Sequence, residues 1–413
     1  MKPLVTVFLT VLIDLLGFGI IIPLLPIYSQ AYGASEVELG LLFSCFSGMQ
    51  LVFAPFWGKV SDRIGRRPVL LGGLVGTGLS YLLFAQADSM TLLFVSRLLA
   101  GFFGANIATA HAYVADVTRP EERAKGMGMI GAAFGIGFTI GPLVGGELTR
   151  FSTAAPGYAA CLLSFAAATF GWRNLPEPAR TGRSGSRLFG FSELRHAARE
   201  PRIGGVMLLY FLAIFAFSCF EAMFTRFGLA AYPAEFGVPV AIERATLDQI
   251  MAASPIAGRY LAFIGVISAL IQGGFIRRLV PRFGETALAV AGPLLLGLSF
   301  LIVGAAGAWW LVIVGCAVMP FGLGINNPSM TSLTSRASPP QAQGAYLGIN
   351  QALGSLARMT GPPAAGWFFQ AHGPHSPFFF AAAVLAGATV IAFLYHRRFA
   401  ATFPRVAQKE AQA

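Results

Sequence analysis

The stretch Gly58-Lys59-Val60-Ser61-Asp62-Arg63-Ile64-Gly65-Arg66-Arg67-Pro68 sets charge and glycine between two long apolar runs. Leu39 to Trp57 before it and Val69 to Ala87 after it are each apolar enough to enter a bilayer, so the cluster reads as a tight turn at a membrane face. Lys59, Arg63, Arg66 and Arg67 put that face on the cytoplasmic side, where basic loops are retained. Gly58 and Gly65, flanking the Asp62-Arg63 pair, remove bulk where two helices leave the membrane almost touching.

Composition agrees with a membrane chain. Of 413 residues, 55% are hydrophobic and only 11% charged, against about 25% charged in soluble domains. A formal charge of +11 would suit a nucleic-acid binder, but the cations fall in short turns between apolar runs, so membrane topology accounts for them and no nucleic-acid partner is expected. Cys45, Cys161, Cys219 and Cys316 each stand alone in a different apolar run, which excludes a readable disulfide or metal site. The first apolar run is too long for a signal peptide and reads as a retained first helix.

Runs long enough to cross about 30 Å of hydrocarbon occupy 4–28, 38–58, 68–87, 91–115, 125–149 and 156–173, then 204–228, 257–278, 286–305, 309–335, 341–370 and 376–396. The expected fold is all-α, with twelve transmembrane helices in two pseudo-symmetric bundles of six. Residues 1–173 form the first bundle and 204–398 the second, with a linker at 174–203 and a tail at 399–413. The linker carries Arg180, Arg183, Arg187, Arg195, Arg199 and Arg202 among Pro, Gly and Ser, as a segment lying on an anionic leaflet would. Most of the 29 Lys and Arg residues fall on one side when both termini are cytoplasmic, which predicts that orientation in the inner membrane.

The bundles repeat. Arg63-Ile64-Gly65 returns as Arg282-Phe283-Gly284, and Gly141-Pro142-x-x-Gly145-Gly146 returns as Gly361-Pro362-x-x-Ala365-Gly366, at offsets of 219 and 220 residues. A duplicated bundle of this kind is the architecture in which two halves rock about a site between them.

Gly58, Asp62, Arg63, Gly65, Arg66 and Arg67 resemble the loop signature of the major facilitator superfamily. Asp14, Gly17, Pro23 and Pro26 resemble its opening helix, and Arg97, Gly101 and Ala105 its fourth. Gly137-x-x-x-Gly141-Pro142-x-x-Gly145-Gly146 matches the fifth-helix signature associated with antiporters. The resemblance covers the whole chain and is to the twelve-helix drug:proton antiporters, with bacterial tetracycline efflux proteins similar to it. Those exporters carry an acid before a Tyr in the third helix; here Ser80 precedes Tyr81, and the run 286–305 contains no acid.

The resemblance implies proton-coupled efflux of small amphipathic molecules by alternating access, with protons, a small-molecule substrate and membrane lipids as partners. It implies no cofactor, a monomer, and the opening loop as a conformational switch. No nucleotide loop, serine elbow or zinc motif suggests an enzyme. The remaining readings are a metabolite or lipid-like transporter on the same frame, by symport or uniport, and a non-transporting receptor or scaffold. Ionisable groups at membrane depth cost about 2.5 to 3.5 kcal/mol and mark function or a structural pair. On that ground Asp14, Arg97 and Glu221 are candidates for proton coupling. Arg97 near a carboxylate would lower that acid's proton affinity, and Asp14 reads equally as a structural hydrogen-bonding group. Asn106, His111, Asn326, Asn327, Asn350 and Arg358 are candidates for lining the cavity. For Arg358 the alternative is to satisfy carbonyls freed by Pro362.

Overall fold

The structure, a computed structural model, describes residues 3–105, 107–118, 123–178, 195–197, 199–238, 245–271, 276–339 and 342–403. All regular elements among these residues are helices, with no strand among them. We number twelve long helices. In the amino-terminal half they are α1 (Pro3–Ile21, continued by a 3-10 turn and Leu25–Ala31), α2 (Glu36–Ile64), α3 (Arg66–Ala85), α4 (Met90–Gly104, continued by Ile107–Val117), α5 (Arg123–Leu148) and α6 (Ala155–Asn174). In the carboxy-terminal half they are α7 (Pro201–Ala231), α8 (Ser254–Leu270), α9 (Glu285–Gly304), α10 (Trp309–Ala337), α11 (Gln343–His372) and α12 (Ser376–Phe399).

Among the described residues, ten spans are long and apolar enough to cross a bilayer. The helices α6 and α11 have the length, at 20 and 30 residues, but not the apolarity. In α6 the cause is Pro156, Gly157 and Tyr158 at its start and Gly171, Trp172, Arg173 and Asn174 at its end; in α11 it is Gln343, Asn350, Gln351 and Arg358. Large apolar side chains stay exposed along outer faces, as Leu294, Leu298 and Leu301 of α9 do at helical spacing. Such a surface suits lipid, where no hydrophobic penalty attaches to it.

By backbone proximity the chain divides into two compact units. One comprises Met1–Ser35, Leu41–Phe189 and Gly228–Gly265; the other comprises Glu36–Gly40, Gly190–Phe227 and Val266–Ala413. The start of α2 therefore groups with the later helices, and most of α8 with the earlier ones. The first unit is cored by Val7, Val11 and Leu15 of α1 against Leu70 of α3, Tyr113 and Val114 of α4 and Ile130 of α5. In the second, Val206, Leu209, Tyr210 and Ile214 of α7 pack with Ala289, Met330, Leu333, Ala357 and Tyr395.

The glycines of α5 do what their spacing predicts. Added β-carbons at Gly137 and Gly141 would stand 2.7 and 2.5 Å from the Leu15 carbonyl oxygen and the Gly19 carbonyl carbon of α1, so the two backbones touch. Pro142 and Gly146 face the opposite way, onto α8: Gly258 abuts the Pro142 carbonyl, and a β-carbon on Gly146 would meet the Ser254 carbonyl at 2.6 Å. The second unit repeats this crossing with α11 and α2. A β-carbon on Gly40 would lie 2.5 Å from the Pro362 carbonyl, and Gly366 abuts the Glu36 carbonyl.

Of the linker, residues 179–194, with Arg180, Arg183 and Arg187, lie outside the described residues. His196 Nδ1 is 2.7 Å from the Tyr346 hydroxyl, and Ala197 packs with Ile203, Met207 and Tyr346. Between α7 and α8 the chain forms a 3-10 turn at Pro233–Phe236 and a short helix at Leu247–Met251 closed by a Thr246/Gln249 capping box.

Candidate functional site

The turn that decides the sequence reading is as tight as glycine permits. A single residue, Gly65, joins α2 to α3 at φ +110°, a conformation that other residues rarely adopt. Arg66 then pairs with Asp62 at 2.7 Å and with Asp116 of α4 at 3.0 Å. The carboxylate of Glu177, just past α6, accepts the backbone N–H groups of Arg66 and Arg67 at 2.7 and 2.9 Å. It caps the positive end of α3. The Arg67 side chain donates to the Trp172 carbonyl. The second turn has the same form with charges exchanged: Gly284 sits at φ +80°, and Glu285, the first residue of α9, pairs with Arg336 and accepts from Ser332 of α10. Arg66 corresponds to Glu285 and Asp116 to Arg336. Sequence reading missed Asp116, Glu177 and Arg336, because the partners lie on other helices at no fixed spacing.

Asp14 stands on α1, half-buried, with Ser164 of α6 donating to its carboxylate at 3.4 Å. It borders a small open-sided cleft with room for about one water, lined by Thr10, Val11 and Asp14 of α1, Leu70 and Leu74 of α3, and Ile107 and Ala110 of α4. Arg97 is 1% exposed and forms no ion pair with a carboxylate among the described residues. Its guanidinium lies 5.9, 5.7 and 5.5 Å from the ring centres of Phe46, Tyr81 and Phe84. These faces attract a cation through the ring quadrupole, more strongly where water is excluded. Nε and Nη2 of Arg97 have no hydrogen-bond partner among the described residues. Tyr81 lies in electrostatic reach of both Asp14 and Arg97.

Glu221 of α7 and Arg358 of α11 are both half-buried, each in electrostatic reach of the other but forming no ion pair. The candidate cavity residues separate. Asn326 is fully buried, its β-carbon 2.9 Å from where one on Gly292 of α9 would stand. Asn350, 4% exposed, donates to Thr334 of α10 at 3.0 Å and serves as an interhelical hydrogen bond. His111 and Asn327 are half-buried, and Asn106 lies outside the described residues.

Comparison with known proteins places this geometry. The sequence profile of the Major Facilitator Superfamily matches residues 7–358 and 229–412. The chain is 30% identical over 368 residues to the class C tetracycline resistance protein of Escherichia coli, covering 87% of each. It is 31% identical to the human major facilitator superfamily domain-containing protein 10, covering 86% of this chain and 85% of that one. The crystal structure of that human organic anion transporter, MFSD10 (TETRAN), superposes with a TM-score of 0.70 at 27% identity, covering 95% of this chain and 99% of the other. With its duplicated glycine-proline helices and paired glycine turns, the chain belongs to the Major Facilitator Superfamily and has that superfamily's transporter fold.

Proposed function

We propose that the protein is a proton-coupled exporter of small amphipathic molecules, working by alternating access in the inner membrane with both termini in the cytoplasm. The observation that carries this reading is Asp14: an acid at membrane depth that borders a cleft and whose hydrogen bond, from Ser164, is long at 3.4 Å. A carboxylate without a cation beside it can exist as the neutral acid, and a group that gains and loses a proton at that depth can carry one across. Arg97 then acts through Tyr81 rather than by direct pairing. One proton moving down 100 mV supplies about 2.3 kcal/mol, roughly fiftyfold in concentration ratio. Similarity to tetracycline resistance proteins supports export of drug-like cargo, and similarity to a human organic anion transporter supports an anionic one.

The test is flux in everted membrane vesicles energised to an acidic interior. Cargo addition should release protons from the lumen with the wild-type chain, and Asp14→Asn should abolish that release while leaving abundance unchanged. Proton release that persists in Asp14→Asn removes this acid from the mechanism. Cargo accumulation insensitive to a protonophore would favour uniport.

A further inference from the structure

Arg358 stands out among the charges the transport reading leaves unused. It sits near the middle of α11, and its guanidinium has no hydrogen bond or ion pair among the described residues, neither to an acid nor to the carbonyls near Pro362 that the sequence suggested. A permanent cation at that depth is costly unless it faces water or a ligand. Residues Gly344, Gly348, Gln351, Ser355 and Arg358 recur at intervals of four and three, on one face of α11. Open space lies beside Gly344 and Gly348, and Gln351 is exposed. Arg358 thus shares a face with exposed Gln351 and with glycines that have no described atom within 4 Å of their β-positions.

Opposite Arg358, α7 presents Tyr210 and Glu221, eleven residues and three turns apart on one face. Tyr210 lies against Gly354, one turn before Arg358, with its hydroxyl donating to Gln351 at 3.3 Å. Both Tyr210 and Glu221 are in electrostatic reach of the guanidinium. The backbone on each side of Arg358 is fixed: Ser218 Oγ donates to the Ala357 carbonyl at 3.3 Å and Cys219 Sγ to the Gly361 carbonyl at 3.3 Å. A ligating group held by rigid helices in this way is preorganised.

We propose that Arg358 is the anion-recognising residue of the cargo site, binding the carboxylate of a small aromatic or amphipathic monoanion that approaches along the Gly344–Ser355 face. The planar guanidinium matches a carboxylate bidentately. Glu221 lies in electrostatic reach of Arg358 without forming an ion pair with it, so the guanidinium is left open to a monoanion. This site rests on the reading of the chain as a transporter and names the class of its cargo.

The experiment is equilibrium dialysis of the full chain in nanodiscs, against empty nanodiscs, with 2-naphthoate and its neutral isostere 2-naphthamide. The wild-type chain should bind the acid at least tenfold more tightly than the amide. Arg358→Gln should erase that preference while leaving amide binding unchanged, and Arg358→Lys should keep part of it. Folding of each variant is checked by gel filtration and melting temperature. Equal binding of the two probes by the wild-type chain, absence of naphthoate binding, or a tenfold preference surviving in folded Arg358→Gln or undiminished in Arg358→Lys overturns the proposal. A preference without proton-driven flux in the wild-type chain would sink the coupling mechanism alone, and flux without a preference would sink the Arg358 site alone.

Discussion

Gly258 of α8 lies directly on the carbonyl oxygen of Pro142 of α5, with no room for a side chain between the two backbones. Its counterpart is Gly40 of α2 on Pro362 of α11. Valine at either glycine must push one helix away, an overpacking cost of about 1 to 3 kcal/mol. Gly258→Val and Gly40→Val should therefore each lower the melting temperature of the purified protein. Gly72, which has nothing within 4 Å of its β-position, is the control: Gly72→Ala should be neutral or stabilising by up to about 1 kcal/mol.

Two ion pairs flank these crossings, and burial separates their worth. Glu36 and Arg226 are 15% and 12% exposed, with Nη2 and Nε of Arg226 at 2.5 and 3.1 Å from one carboxylate oxygen. Removing one partner strands a largely buried charge, so Glu36→Gln should cost about 3 kcal/mol in thermal or chaotrope unfolding. Exchange of the two residues, Glu36→Arg with Arg226→Glu, should recover part of that. Glu147 and Arg259, at 2.6 Å but 36% and 55% exposed, should contribute under about 1 kcal/mol, and Arg259→Gln should barely move the same curve.

The charge-exchanged turns make a further prediction. Glu285 is 9% exposed and neutralised by Arg336, so Arg336→Ala should destabilise by about 3 kcal/mol or more. The companion change Glu285→Gln in the same chain should restore most of the loss, because no bare carboxylate remains. Failure of the second change to rescue the first in melting experiments would show that the pair is not the unit of stability.

Glu177→Ala takes away the acceptor for two N–H groups at the start of α3. A loss of about 1 kcal/mol is expected, with faster amide exchange at Arg66 and Arg67 by mass spectrometry. Unchanged exchange at both amides would mean that the cap does not close this end of the helix.

The frame was legible because its signals are local. Glycines four apart in α5 announce a smooth helical face, and the repeat of Gly141-Pro142 at Gly361-Pro362 announces two related bundles. What could not be read was which neighbour each face meets. Nothing near Arg97 in the sequence says that Phe46 of α2 and Tyr81 and Phe84 of α3 would surround it in place of an acid. Asn326 and Asn327 are adjacent and chemically identical, yet a turn of about 100° per residue buries the first against α9 and leaves the second half-buried. The Arg66–Asp116 pair depends on the depth at which α4 ends relative to α3, which tertiary packing alone decides.

The one-residue joint at Gly65 couples α2 and α3 mechanically. At 29 residues α2 is about 44 Å long, so a tilt of a few degrees at its far end becomes a torque at that joint. With no slack segment at the joint, any such displacement is either taken up by rotation at Gly65 itself or met by the clamp of Arg66, Asp116 and Glu177.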